Sequence, residues 1–184
     1  MNYAEIKYCD IANGVGVRTS LFVAGCRHGC PGCFNQIAWD FAMGKPYDSS
    51  VEDEIVASLE PDYVAGITLL GGEPLEPENQ PALADLLMRI KRELPNKSVW
   101  IYSGFTWEEL TELESRAQTA HLERMLNCCD VLVDGRFEQA LYDISLRFRG
   151  SSNQRIIDVP ASRAAGEIVL WQGDEILAKR SSWQ

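Results

Sequence analysis

"VRTSLFVAGCRHGCPGCFN", residues 17–35, opens as a β-branched and aromatic run, stops at Gly25, and then sets three cysteines within eight residues: Cys26, Cys30 and Cys33. The run Val17–Gly25 reads as a strand ended by glycine, so the cysteines leave from its C-terminal end. The same grammar repeats downstream. "AGITLLGG" (65–72) reads as a second strand and is followed by Glu73-Pro74, "SVWIYSG" (98–104) as a third, "DVLVDG" (130–135) as a fourth and "QRIIDV" (154–159) as a fifth. Helical patterns fill the intervals. In "SSVEDEIVASLE" (49–60), Val51, Ile55, Val56 and Leu59 share one face, with Ser49 or Ser50 as cap. From Asn79 to Leu94, Leu83, Leu86, Leu87, Ile90 and Leu94 keep the helical period. Thr106 with Glu109 forms a capping box that starts a helix running towards Leu126.

Strands alternating with helices imply βαβ units and a mainly parallel sheet, an α/β fold that right-handed crossovers curl into an open sheet or a barrel. In such folds chemistry gathers at the C-terminal ends of the strands. Every polar or glycine-rich motif named above sits at such an end. At the tail, "EIVLW" (167–171) and "EILAK" (175–179) flank Gln172-Gly173-Asp174 and read as a terminal hairpin.

At 184 residues, 46% hydrophobic and 24% charged, the chain reads as one soluble globular domain spanning 1–184. Its core covers about 10–159 and an extension covers 160–184. The absence of a long apolar run or of a basic-then-apolar N-terminus predicts a cytoplasmic protein with no membrane contact. A formal charge of −10 repels phosphate backbones, so no nucleic-acid partner is expected. Six cysteines, three of them clustered, two adjacent (Cys128 and Cys129) and one alone (Cys9), suit metal binding better than a disulfide framework.

Structural zinc takes four closed ligands, and an ordinary electron-transfer iron–sulfur cluster takes four thiolates. A cube held by three thiolates leaves one iron without a protein ligand, a Lewis-acidic docking point for a small molecule. Gly29, Pro31 and Gly32 let the loop wrap such a cube closely. The alternative is zinc, with His28, Cys9 or the Cys128–Cys129 pair as fourth ligand, although Cys128 and Cys129 also read as buried core thiols. Gly71-Gly72-Glu73-Pro74 offers a second motif. Its glycines allow close approach of a ligand and its carboxylate can hold an ammonium group, or it is simply a tight turn. A ligand with an ammonium, a carboxylate and a sulfonium satisfies both motifs, and S-adenosylmethionine is such a ligand.

The cysteine loop and "GGEP" resemble the radical S-adenosylmethionine superfamily. "DIANGVGVRTSLFVAGC", "CPGCFN", "WIYSGFTWEEL", "VLVDGRF" and "LRFRGSSNQR" are together similar to the activating proteins of anaerobic (class III) ribonucleotide reductase, from about Asp10 to Arg155. The resemblance implies a partial, open (β/α)6-type barrel. It implies a [4Fe–4S] cluster on Cys26, Cys30 and Cys33, and S-adenosylmethionine met by Gly71, Gly72 and Glu73. It further implies reductive cleavage to a 5′-deoxyadenosyl radical that takes hydrogen from a glycine of the partner reductase, with a one-electron donor such as flavodoxin. No catalytic side chain beyond the cluster site is implied. Many superfamily members carry an aromatic residue just before the third cysteine, bordering the adenine; here that place is Gly32, and the aromatic, Phe34, follows Cys33.

Ser103 and Asp134 are candidates for ribose or amino-acid contacts, though Asp134-Gly135 also reads as a turn. Arg149, Ser151, Asn153 and Gln154 line the cofactor pocket, meet the reductase, or form a capped loop. Asn13, Gly14 and Arg18 lie near the mouth by resemblance, and Trp39, Trp100, Trp107 and Trp171 are expected in the core. Three other readings stay open: an activase of the pyruvate formate-lyase type, a non-enzymatic zinc or iron–sulfur module, and a small-molecule radical enzyme, for which a chain this short has little material to build an enclosed pocket.

Overall fold

The computed structural model describes residues 1–111 and 114–173. Among them seven strands form one sheet: β1 (Asn2–Asp10), β2 (Val17–Val23), β3 (Lys45–Pro46), β4 (Val64–Gly71), β5 (Ser98–Tyr102), β6 (Val131–Asp134) and β7 (Arg155–Asp158). Their order is β3-β1-β2-β4-β5-β6-β7. The middle four, β2, β4, β5 and β6, are parallel, while β1, β3 and β7 pair antiparallel. The fold is therefore mixed α/β with an open sheet that is parallel at its centre.

Parallel neighbours need crossover connections. Helix α1 (Ser49–Leu59) joins β2 towards β4, α2 (Gln80–Glu93) joins β4 to β5, and α3 (Trp107–Thr111) with α4 (Leu122–Cys128) joins β5 to β6. The strand order advances in one direction at each step, so crossovers of one hand lay these helices on one face. Leu21, Ile67, Leu69, Val99, Ile101 and Leu132 point to that face and are fully buried in one cluster with Ile55, Leu59, Leu83, Leu87, Ile90 and Met125. The period of two turns Arg18, Thr68, Trp100, Tyr102 and Val133 to the opposite face. There Trp100, Val131 and Val133 pack with Val15, Phe148, Ile156 and Trp171, with no helix over them among the described residues.

Arg18, read as a mouth residue, lies under this second face and is fully buried. Its five bonds use the whole guanidinium: Nε to Thr68 Oγ1, Nη1 to Val15 O and Ser98 Oγ, and Nη2 to Ile67 O and Ser98 O. It also lies over the Trp100 ring. Burial pushes its pKa down to about 10.

The structure corrects several expectations. β1 is an additional strand; its alternation is hidden by two register shifts, and Cys9 has a positive φ of 54°. β7 runs antiparallel because 135–154 carries only a short 3-10 turn at Gln139–Leu141 and no crossover helix. The helix expected from Thr106 to Leu126 is broken. Gln80, fully buried, donates to Ala117 O and accepts from Thr119 Oγ1, holding that stretch in turns. The capping box does form, with Glu109 Oε2 accepting from Thr106 N and Thr106 Oγ1 accepting from Glu109 N. After β7 a further helix, α5 (Val159–Ala165), is capped by Asp158 and ended by Gly166 at φ 71°. The second half of the expected hairpin, 175–179, lies outside the described residues. The first half lies against β7 instead, with Asp158 N donating to Val169 O and Trp171 N to Ile156 O.

The cap of α1 is Asp48, not Ser49 or Ser50; its carboxylate accepts from Ser50 N and Val51 N. Asp48→Ala is expected to lower the urea unfolding midpoint, because Ser50 N and Val51 N lose their acceptor. Urea unfolding of the parent and variant would check this, and an unchanged midpoint would mean that the cap contributes nothing.

Candidate active site

The strand ends converge on the face without helices. Segments following β2, β4, β5 and β6 enclose a cavity of about 660 Å³, within the usual range for small-molecule sites. Cys26, Cys30, Gly32, Cys33 and Phe34 line it from the first segment, Gly71, Gly72 and Glu73 from the second, and Ser103 from the third. The cysteine loop is folded back on the 3-10 turn Gln36–Trp39: Gly25 N donates to Ala38 O at 2.8 Å and Cys26 N to Trp39 O at 3.2 Å.

The thiols are free, and burial pushes Cys26 up to about 12 and Cys30 upward as well. Such thiols become thiolates when a bound cation replaces the lost hydration. Among the described residues no three Cys, His, Asp or Glu side chains gather closely enough to share one metal ion. The three thiols stand around a common cavity instead, which suits a cube whose irons each take one thiolate. Of the fourth zinc ligands considered above, only His28 lines that cavity. Cys9 is exposed on β1, Cys128 and Cys129 are buried in the core on the helix side, and both His28 nitrogens have other partners. The residues present thus fit a three-thiolate cluster with one corner left for a ligand.

The paired glycines serve the chain itself. Gly71 has φ 114°, and a Cβ on Gly72 would stand 2.5 Å from Gly25 O. This lets the loop lie directly on the end of β2, where Gly72 N donates to Val23 O and Glu73 N to Gly25 O. Glu73 is 1% exposed. Its Oε1 accepts from Leu75 N (2.9 Å) and Ser103 Oγ (2.9 Å), and its Oε2 from Gly104 N (2.7 Å) and His28 Nε2 (3.0 Å). A carboxylate has about four acceptor positions, so this one is full without any ligand.

Asp134 and Asn153 line a second, smaller cavity of about 330 Å³, and only Gly135 is common to both. Asp134, 1% exposed, accepts from Trp107 N and from Arg155. Asn153 Nδ2 donates to Arg136 O, while its Oδ1 is buried with no partner among the described residues. Arg149, Gln154 and Asn13 line the main cavity, whereas Ser151 is buried and accepts from Glu138 N. The sequence reading did not single out Tyr102 or Phe137 as wall residues, nor Trp39, Leu70 and Phe148. For Tyr102 a signal existed, since it shares the face of Trp100 two positions earlier on β5.

Arg155 also grips Glu108 with two bonds and pulls its carboxyl down to about 2. A depressed carboxylate contributes stability above its unfolded value, about 4.3, and loses it as pH falls through the folded value. Side-chain NMR titration is therefore expected to find Glu108 ionised down to about pH 2. A midpoint near about 4.3 would mean that the pair does not hold in solution.

Comparison with known proteins agrees with this site. A family model described as a 4Fe-4S single cluster domain matches residues 12–157. The anaerobic ribonucleoside-triphosphate reductase-activating protein of Pasteurella multocida is 42% identical over 158 residues, 85% of this chain and 96% of the relative. That of Escherichia coli K12 is 41% identical over 156 residues, 84% and 96% of the two chains. That of Enterobacteria phage T4 is 37% identical over 156 residues, 85% and 93%. Alike in the matched span and in near full-length coverage of these relatives, the chain belongs to the family of anaerobic ribonucleoside-triphosphate reductase-activating proteins, built on a 4Fe-4S single cluster domain.

Proposed function

We propose that this chain is a radical S-adenosylmethionine enzyme that installs a glycyl radical on an anaerobic ribonucleoside-triphosphate reductase. The observation that carries the reading is the cavity itself: three free thiols and the Gly71-Gly72-Glu73 loop face one space at the ends of parallel strands. Cys26, Cys30 and Cys33 would hold the cluster. When bound and reduced, that cluster supplies the electron that cleaves the carbon–sulfur bond of S-adenosylmethionine, yielding methionine and the 5′-deoxyadenosyl radical that takes hydrogen from a glycine of the reductase.

The remaining work falls to the chain. The Gly71–Glu73 loop forms the wall for the methionine end, and Glu73 acts there by fixing the shape of the loop, since its oxygens are already engaged. Gly32, Phe34 and Ser103 border the same space. Leu70, Phe137, Leu146 and Phe148 give it an apolar lining that keeps water from a reactive intermediate. Asp134 and Asn153 support the wall from behind, through Arg155 and the Arg136 carbonyl. The one-sided helix layer is in keeping with a partial (β/α)6-type barrel and a single domain over 1–184.

No helix among the described residues is long and apolar enough to cross a membrane. The charge of −10 speaks against a nucleic-acid partner, and the reading further takes the protein to be cytoplasmic, without a membrane partner and served by a one-electron donor such as flavodoxin. The test is anaerobic reconstitution with iron and sulfide, followed by reductant-dependent 5′-deoxyadenosine formation. Electron paramagnetic resonance then reads the glycyl radical on the reductase and on pyruvate formate-lyase. Radical on the reductase is expected; radical only on pyruvate formate-lyase would reverse the assignment of the partner, and tightly held zinc without sulfide would remove the enzyme altogether.

A further inference from the structure

We infer that His28 is a positioning residue, an imidazole locked in its Nε2–H tautomer that ties the cysteine loop to the loop carrying Glu73. The inference rests on the cluster and cofactor reading above. His28 stands between Cys26 and Cys30, yet its side chain is only 2% exposed. Its Nδ1 lies 3.2 Å from Arg116 Nη2. A guanidinium only donates, so Nδ1 accepts, and the ring hydrogen sits on Nε2, aimed at Glu73 Oε2 at 3.0 Å.

The orientation is fixed from every side. Phe105 meets the ring edge-on at 4.6 Å between centroids, and the Arg116 guanidinium lies over the Phe105 ring, 4.5 Å from its centroid. Gly104 leaves room, because a Cβ there would stand 2.5 Å from His28 Cδ2. Arg116 is itself held by Glu76, whose side chain is fully buried. Glu76 also accepts from the backbone N–H of Arg27 at 2.8 Å. Two adjacent residues of the three-residue spacer between the first cysteines are thus tied to two buried carboxylates of the next loop. His28 reaches Glu73 through its side chain and Arg27 reaches Glu76 through its backbone. This arrangement fixes the distance between the thiolates and the wall for the methionine end, which His28 meets through Glu73.

The full chain, reconstituted with iron and sulfide, would be compared with His28→Ala, His28→Gln and Arg116→Met. Iron content is expected to match the parent in all three, because no thiol is touched. Equilibrium dialysis with S-adenosylmethionine is expected to show roughly tenfold weaker binding for His28→Ala, the size of one charge-assisted hydrogen bond. His28→Gln, whose amide nitrogen reaches the Nε2 position and donates to Glu73, is expected to recover to within about threefold of the parent. Arg116→Met releases the tautomer lock from outside the cysteine loop. It is expected to weaken binding and to alter the electron paramagnetic resonance signal of the reduced, ligand-bound cluster.

Parent-like affinity in His28→Ala would overturn the inference. So would equal losses in His28→Gln and His28→Ala, which would reduce the ring to packing, and so would iron loss in His28→Ala and Arg116→Met alike. Should His28→Ala alone lose iron, the affinity of Arg116→Met decides. A parent chain that holds the cluster but binds no S-adenosylmethionine would overturn the functional reading and this inference together, whereas variants that bind like a competent parent overturn this inference alone.

Discussion

Cys26→Ala is expected to bring reconstituted iron from about four per chain to near zero and the glycyl radical to background. No cysteine beyond Cys30 and Cys33 lines the site to take its place. Cys9 is exposed on β1, and Cys128 and Cys129 lie in the core on the far side of the sheet. The backbone at position 26 should stay in place, because its N–H is held by Trp39 O and Arg27 is held by Glu76. Loss of iron would therefore report the missing thiolate and not a collapsed loop. Circular dichroism and a melt of the metal-free variant separate the two. Retention of about four irons would contradict the ligand assignment. Cys9→Ala serves as the control and is expected to keep its iron.

Glu73→Ala is expected to destabilise the metal-free chain by roughly 3–5 kcal/mol, because it breaks a buried hydrogen-bond network. Its four donors, Leu75 N, Ser103 Oγ, Gly104 N and His28 Nε2, come from three separate segments of the chain. Each buried donor left unpaired costs about 1–3 kcal/mol, partly relieved by water entering from the cavity. For a chain of this size the melting temperature should fall by roughly 10 °C. A melt within about 2 °C of the parent would show that the carboxylate is not the knot described and is free for an ammonium group. The measurement needs neither iron nor cofactor, which is what distinguishes a fold-holding carboxylate from one reserved for a ligand.

That contrast marks where sequence reading succeeds and where it stops. "GGEP" was legible as a strand-end motif because two glycines and a carboxylate interrupt the apolar run there. Its partners were not, since Ser103 and Gly104 lie some thirty residues away and His28 lies forty-five before it. The parallel strands were legible from β-branched runs ended by polar motifs. β1 was not, because bulges break its alternation. The helix after Thr106 was overestimated because local pattern knows nothing of Gln80, which captures Ala117 and Thr119 from another element. Asp134 was rightly placed at a strand end, but the direction of its side chain, towards Arg155 and Trp107 N, depends on β7 lying antiparallel beside it.

Arg18 carries a consequence for how the chain assembles. Its donors close contacts that span 49 to 80 positions along the sequence, to Ile67, Thr68 and Ser98. A guanidinium left dry and unpaired is costly, so a half-built state with only two of these strands joined gains little. The three strands must arrive together, and a slip of one position along β4 would carry the Ile67 carbonyl away from the cation. Non-local closure of this kind slows folding while making it all-or-none. A single buried arginine thus works as a proofreader of strand alignment, long before any metal reaches the finished pocket.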